Sequence, residues 1–91
     1  MGPMTQNLSA ILGDLGQLLL DHGQVSWADL VAHSNRELQA GDFNGINRLL
    51  GAFGGMGSLN DVLLEDSQAN DQLATLRSDA YSLARAIQRE Q

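Results

Sequence analysis

The sequence predicts an all-α fold: a small helical bundle of three main helices plus a short helix, with a structured Gly-rich loop before the last helix. Two observations predict it. Leucines and other apolar residues recur at spacings of three and four along most of the chain, as on the buried face of an amphipathic helix. The one hairpin signal, Asn44-Gly45, is not flanked by residues that alternate between apolar and polar.

The 91 residues are enough for one hydrophobic core, so we assign residues 1–91 to a single helical domain. Residues 1–6 are expected to be disordered or to be an addition left from cloning, because Met4 would serve equally well as a natural start. They are therefore left out of the predicted fold.

The first predicted helix covers residues 8–21. Asn7 can cap its start, and Gly23 can supply the left-handed residue after its end. Gly13 and Gly16 share a helical face, which we interpret as a tight contact with another helix. The apolar stripe of this helix consists of Leu8, Ile11, Leu12, Leu15, Leu18 and Leu19.

The second predicted helix begins at Ser26 and ends before Gly41. Asp29 follows Ser26 by three residues, which is the spacing of a capping box. Trp27 lies in the first turn, and we interpret it as a core residue rather than a binding residue.

The third predicted helix is short, capped by Asp42 and ended by Gly51. The last runs over residues 70–89 with an apolar seam spaced three, four, three, four, which must be buried against the first helix or against a second copy of the chain. A homodimer is therefore possible. The residues expected in the core are Leu15, Leu19, Trp27, Leu30, Leu49, Leu50, Leu76, Leu83 and Ile87.

The Gly-rich loop before the last helix is the most informative stretch of the sequence. Glycine clusters mark a required backbone shape, and we expect a positive φ at Gly55 or Gly57, so that valine there would damage folding. Ser58 and Asp61 have capping-box spacing, and Phe53 is one of the apolar residues expected to fold the loop back onto the core. The structural loop residues are Gly54, Gly55, Met56, Gly57, Ser58 and Asn60, and the apolar ones are Phe53, Met56 and Leu59.

The composition restricts the chemistry. The net charge is −6, there is no lysine and there is no cysteine, which argues against a P-loop, a Schiff base, a disulfide framework and direct nucleic acid binding. His22 and His33 lack a partner at ligand spacing, so we expect no metal. Ser58 is better explained by capping than by activation as a nucleophile, so we expect no catalytic residue and no enzyme, and no cofactor is expected. With neither a signal peptide nor a membrane span expected, the predicted location is cytoplasmic.

An acidic run from the end of the loop into the start of the last helix has no basic residue among its members. Its members Asp61, Glu65, Asp66 and Asp71 lack the ligand spacing of a calcium-binding loop. We interpret them as the candidate partner-binding residues, which would attract a protein with a basic surface.

The loop motif also carries a resemblance. Gly54-Gly55-Met56-Gly57-Ser58-Leu59-Asn60-Asp61, followed by a helix with Asn70, Leu73, Leu76, Tyr81 and Ala84, resembles small bacterial proteins of an uncharacterised domain family, a domain of unknown function. The resemblance covers the second half of the chain. It implies a bacterial source and a structured motif, and it transfers no catalytic residue.

The leading functional hypothesis is a small acidic intracellular protein-interaction module, of the immunity or antitoxin type, that inhibits a basic partner protein. The alternatives are a structural homodimer or assembly subunit held by the last helix, and a small-molecule sensor built on the Gly-rich loop. Binding to a protein encoded by an adjacent gene would distinguish the first hypothesis from the others.

Overall fold

The structure is a computed structural model that describes residues 2–54 and 57–90. This part of the chain forms four α-helices, α1 (Pro3–Asp21), α2 (Val25–Gln39), α3 (Asn44–Ala52) and α4 (Ser67–Arg89), and a 3₁₀ turn (Leu59–Asp61). It contains no strand, so the all-α prediction is confirmed.

Each of the four helices packs against two others. Helix α1 packs against α2 on one side and α4 on the other, while α3 contacts both α2 and α4. Helices α1 and α4 are antiparallel, because Met4 lies near Ile87 at one end and Leu18 lies near Leu76 at the other. The leucine stripe of α1 supplies the middle of the core, with Leu8, Leu12, Leu15 and Leu19 buried.

The predicted core is confirmed in part. Four of its nine residues are buried, namely Leu15, Leu19, Leu49 and Ile87, and the other five are partly buried against the core. In α4 the buried residue is Ala84 rather than Leu83. An α-helix has 3.6 residues per turn, so a residue eleven positions after Leu73 returns to the same side more closely than one ten positions after it. Of the predicted apolar seam of α4, Leu73, Ala80 and Ile87 are buried in the chain's own core, whereas Leu76 and Leu83 are only partly buried.

The predicted helix starts need correction. Helix α1 begins at Pro3, where the missing N–H and the fixed φ of proline suit the first helical position, so residues 3–6 are helical rather than disordered. Helix α2 begins at Val25 after Gln24, which places Ser26 inside the first turn, and no side chain caps this helix. The capping box of Ser26 and Asp29 is therefore wrong.

The third and fourth helices also differ from the prediction. Helix α3 ends at Ala52 rather than at Gly51, although Asp42 does accept a hydrogen bond from the backbone N–H of Asn44 (3.0 Å). Helix α4 begins at Ser67, a full turn before the predicted Asn70. No helix in residues 2–54 and 57–90 has an apolar stretch long enough to cross a membrane.

The tight helix contact lies at Gly45 and not at the glycine pair of α1. A Cβ atom on Gly45 would lie 2.5 Å from the backbone oxygen of Ser34 in α2. A Cβ on Gly16 would be 3.7 Å from Val31, an ordinary contact, and one on Gly13 would meet open space. The lack of a Cβ at Gly45 therefore allows α3 to cross α2 closely. In the sequence this glycine is part of the hairpin signal Asn44-Gly45.

Candidate partner-binding site

The connection from α3 to α4 contains residues 57–66, which we term the acidic segment. It begins with Gly57 at φ +72°, a conformation that suits glycine because L side chains rarely adopt it. The prediction of a positive φ in this loop is thus confirmed at Gly57. The predictions for Gly55 and Met56 lie outside the described residues, and Gly54 is exposed.

Local hydrogen bonds shape the first half of the acidic segment. The Asp61 carboxylate accepts from the backbone N–H of Gly57 (2.6 Å), and the Asn60 side chain donates to the carbonyl of Phe53 (3.1 Å). Ser58 precedes the 3₁₀ turn, but its buried hydroxyl has no hydrogen-bond partner among the described residues. The expected capping box of Ser58 and Asp61 is therefore wrong, because no side chain caps the 3₁₀ turn and the Asp61 carboxylate binds the N–H of Gly57, one residue before Ser58.

Arg77 of α4 joins the acidic segment to the helix layer. Its Nη1 donates to the carbonyl oxygens of Leu59 (3.0 Å), Asn60 (3.2 Å) and Val62 (3.0 Å). The carbonyl of Leu59 also accepts from the backbone N–H of Val62 (3.3 Å). Carbonyls at the end of a helical turn lack partners further along the helix, and a guanidinium satisfies several of them at once. This arginine therefore holds the backbone on the N-terminal side of Leu63.

Asn70 holds the backbone on the other side of Leu63. The N–H of Leu64 donates to Asn70 Oδ1 (2.7 Å), and Asn70 Nδ2 donates to the carbonyl of Leu64 (2.7 Å). The amide thus pairs with both backbone groups of one residue, as a neighbouring strand would. Leu64 is buried, and Phe53 and Leu59 are buried as the sequence predicts.

Leu63 lies between these two attachments and points into solvent. Its exposed fraction is 79%, the largest among the exposed large hydrophobic residues of the described chain. Burying a leucine stabilises a contact by about 1.5 to 3 kcal/mol. The acidic segment therefore presents an apolar side chain on a backbone whose flanks are already fixed.

The four predicted partner-binding residues are all exposed, but two of them have structural roles. Asp61 binds Gly57, and Asp66 caps α4 by accepting from the backbone N–H of Ala69 (2.9 Å). The side chains of Glu65 and Asp71 make no hydrogen bond or ion pair with the described residues. Partner binding by the four residues stays a prediction. Glu65 and Asp71 are the two whose carboxylates are available to a partner without breaking a contact to the described residues.

Beside the start of α4 lies an open groove of about 640 Å³, which we term the α1–α4 groove. Leu18 and Leu76 form its apolar floor, and Asp14, Asp21 and Asp71 supply its carboxylates. Sequence reasoning missed Asp14 and Asp21. The available signal was their spacing of seven residues beside the leucine stripe, which places both on one side of α1.

Two arginines outside the lining of the groove contact other side chains. Arg48 donates to Glu37 (2.8 Å), an interaction that lowers the pKa of Glu37. Arg85 lies over the ring of Tyr81 at 6.0 Å, and Tyr81 in turn meets Phe53 edge to face. Helix α4 is therefore acidic near its start and basic near its end.

A comparison with known families matches residues 20–74 to one described as a domain of unknown function (DUF6966). The matched residues include α2, α3, the acidic segment and the first turns of α4, so they contain Leu63, Asn70 and Asp71. No curated protein and no solved structure matches the chain.

Proposed function

The chain belongs to the family described as a domain of unknown function (DUF6966), and we propose that it is a protein-interaction module that binds a basic partner through the acidic segment. The observation that carries the proposal is the presentation of Leu63. This leucine is 79% exposed on a backbone that Arg77 and Asn70 hold on either side.

The energetic argument rests on preorganisation. Ordering a loop during binding costs free energy that the contact must recover, and a segment fixed in the free protein avoids much of that cost. A leucine presented in this way can fill an apolar pocket of the partner, as a binding hot spot does. Leu63 therefore supplies affinity.

The charges define the partner's chemistry. Glu65 and Asp71 are exposed near Leu63 in the sequence, and the whole chain carries a charge of −6. Exposed carboxylates speed the encounter with a positive surface and disfavour an acidic one. The expected partner has basic residues around an apolar pocket.

The biological role we favour is a bacterial inhibitor of the immunity or antitoxin type, whose partner is a toxin or nuclease with a basic surface. A homodimer held by the seam of α4 is less favoured, because Leu73, Ala80 and Ile87 of this seam are buried in the chain's own core. A sensor that uses the loop amides is less favoured as well, because Asp61 already occupies the N–H of Gly57.

The test measures binding to the purified products of adjacent genes by calorimetry. For a product that binds, Leu63→Ala is expected to weaken the affinity about 30-fold, the effect of losing roughly 2 kcal/mol at a hot spot. Leu20→Ala is the matched control, since Leu20 of α1 is 50% exposed, and it is expected to change the affinity less than about threefold.

Both variants should keep the melting temperature of the parent protein, since neither leucine is buried. The proposal is wrong if no adjacent product binds, or if Leu63→Ala and Leu20→Ala weaken binding equally.

A further inference from the structure

The geometry of the α1–α4 groove points to a specific occupant: we propose that it binds a basic amphipathic helix of a partner protein, with an apolar stripe flanked by lysines or arginines. This inference rests on the proposed function, since the helix belongs to the same partner that Leu63 contacts. It adds a second contact surface and the secondary structure of the segment that fills it.

The apolar floor favours a helix with one hydrophobic stripe. Leu18 and Leu76 are only partly buried although both pack against the core, so each retains apolar surface that faces the groove. Helix-in-groove recognition uses side chains at spacings of three and four residues to cover such a floor. Covering both leucines provides the apolar part of the binding energy.

The carboxylates fix the charge and the length of the occupant. Asp14 and Asp21 are seven residues apart on α1, which is two turns or about 10 Å along the axis. Asp71 faces them from α4. An occupant helix of two to three turns with basic residues on both sides of its stripe meets all three carboxylates.

The groove has no positive charge of its own. None of the described residues that line it is an arginine, and the chain contains no lysine. The Gln17 side chain donates to the Asp21 carboxylate (2.7 Å), which orients that carboxylate without neutralising it. The negative charge of the groove is therefore available to a partner.

Other classes of occupant fit the groove less well. A cation site is not supported, because the described residues contain no group of three acidic or histidine side chains placed to share a metal ion. An anionic lipid surface would be repelled by the three carboxylates. A basic peptide helix satisfies both the charge and the apolar floor.

The acidic segment and the groove are connected through the first turns of α4. Asp66, the last residue of the acidic segment, caps α4, and Asp71 follows five residues later, about 7 to 8 Å along the helix axis. One partner can therefore contact Leu63 and fill the groove in the same complex.

The experiment uses a fluorescent synthetic peptide of leucine, lysine and alanine, about 14 residues long, with leucines at spacings of three and four. Its binding to the full chain is measured by fluorescence anisotropy. A scrambled peptide of the same composition keeps the charge but loses the stripe. We expect the patterned peptide to bind about tenfold or more tightly than the scrambled one.

Two triple variants with equal charge test the site. Asp14→Asn, Asp21→Asn and Asp71→Asn together are expected to weaken binding about tenfold or more, since three exposed ion pairs with the peptide are lost at once. The matched control replaces Asp29, Asp79 and Glu90 by their amides, and it is expected to change binding less than about threefold.

A third variant fills the groove without changing the charge. Thr75 is an exposed groove residue, and Thr75→Trp is expected to abolish binding of the patterned peptide while the melting temperature stays unchanged. If Thr75→Trp fails to fold, the comparison of the two triple variants still decides the question.

The groove proposal is overturned if the two triple variants weaken binding equally, if the scrambled peptide binds as tightly as the patterned one, or if sedimentation shows that a second copy occupies the groove. Leu63→Ala is expected to leave peptide binding unchanged. If the patterned peptide binds the groove but no adjacent gene product binds through Leu63, the proposed function is wrong and the groove proposal stands. If an adjacent gene product binds through Leu63 but the patterned peptide does not bind the groove, the groove proposal is wrong and the proposed function stands.

Discussion

The acidic segment and the crossing of α2 and α3 obtain their order in different ways. Side chains of α4 hold the segment by hydrogen bonds to its backbone, which leaves Leu63 free to face solvent. The crossing is held by close packing of backbones, with Gly45 against Ser34. Hydrogen bonds to the backbone therefore order the acidic segment and leave its side chains exposed for binding. Close packing of α2 and α3 instead buries the surfaces that it orders. Five substitutions distinguish order that comes from hydrogen bonds and backbone conformation from order that comes from close packing.

The largest effect is expected at the crossing. Gly45→Ala places a Cβ 2.5 Å from the Ser34 backbone oxygen and 3.2 Å from the Leu38 backbone nitrogen, and neither can rotate away. We expect a loss of about 2 to 4 kcal/mol in unfolding free energy, measured by urea denaturation. The control is Gly51→Ala in the same helix, where a Cβ meets open space and alanine should stabilise by roughly 0.5 to 1 kcal/mol. Equal effects of the two substitutions would contradict the packing explanation.

The next effect is expected at Arg77. Replacing it by methionine keeps much of its apolar stem but removes the donor shared by three backbone carbonyls. We expect a loss of about 1.5 to 3 kcal/mol, together with faster amide exchange in residues 59–64. Arg85→Met serves as the control on the same helix and should change stability by less than about 0.5 kcal/mol. Unchanged exchange in Arg77→Met would show that the arginine does not order the segment.

Asn70→Ala is expected to cost about 1 to 2 kcal/mol, because both hydrogen bonds to Leu64 are lost. Partner affinity should fall as well, since the segment must then be ordered during binding. Thermal denaturation and calorimetry measure the two effects. A variant that loses stability but keeps its affinity would show that order of the segment in the free protein does not contribute to binding.

Gly57→Ala tests backbone conformation without packing. The residue has φ +72° and open space around it, so the cost should be about 1 kcal/mol, smaller than at Gly45. Gly57→Asn should cost less than Gly57→Ala, because asparagine tolerates the left-handed region. The reverse order, measured by denaturation, would indicate that side-chain contacts rather than φ set the cost at this position.

The smallest effect concerns pH and the link from α2 to α3. The hydrogen bond from Arg48 lowers the pKa of Glu37 below its ordinary value of 4.5. Stability from this pair is therefore present above the unfolded pKa and is lost as the pH falls through the folded pKa. Glu37→Gln should reduce the fall in stability below pH 4.5, as followed by denaturation at several pH values. An unchanged slope would show that the pair makes no contribution.

Much of the helical content follows from the sequence because it depends on local periodicity. The stripe of α1 and the seam of α4 both have helical spacing, and the positive φ expected in the Gly-rich loop is observed at Gly57. The sequence predicts less well which face of α4 is buried. Ala84 and Leu83 both fit a short heptad pattern, and side-chain size favours Leu83, yet the smaller Ala84 is the one that is buried.

The candidate site was harder to predict because it depends on contacts between residues distant in sequence. Val62, Leu63 and Leu64 are all apolar, so the sequence does not show which of them is exposed. In the structure Leu64 is buried and pairs with Asn70, and Leu63 faces outward. Arg77 likewise resembles an ordinary surface arginine until the fold brings three carbonyls to it. Asp61 and Asp66 both belong to the predicted acidic run, but the capping role of Asp66 depends on where α4 begins.

The central claim is that the acidic segment is already ordered in the free protein. The most direct measurement is the amide hydrogen exchange rate of Leu64 by nuclear magnetic resonance, with Asn70→Ala for comparison. The account predicts protection of about 100-fold or more over an unfolded chain, lost in Asn70→Ala, because the Leu64 N–H donates to Asn70 Oδ1. Exchange of Leu64 at the rate of an unfolded chain would contradict the account.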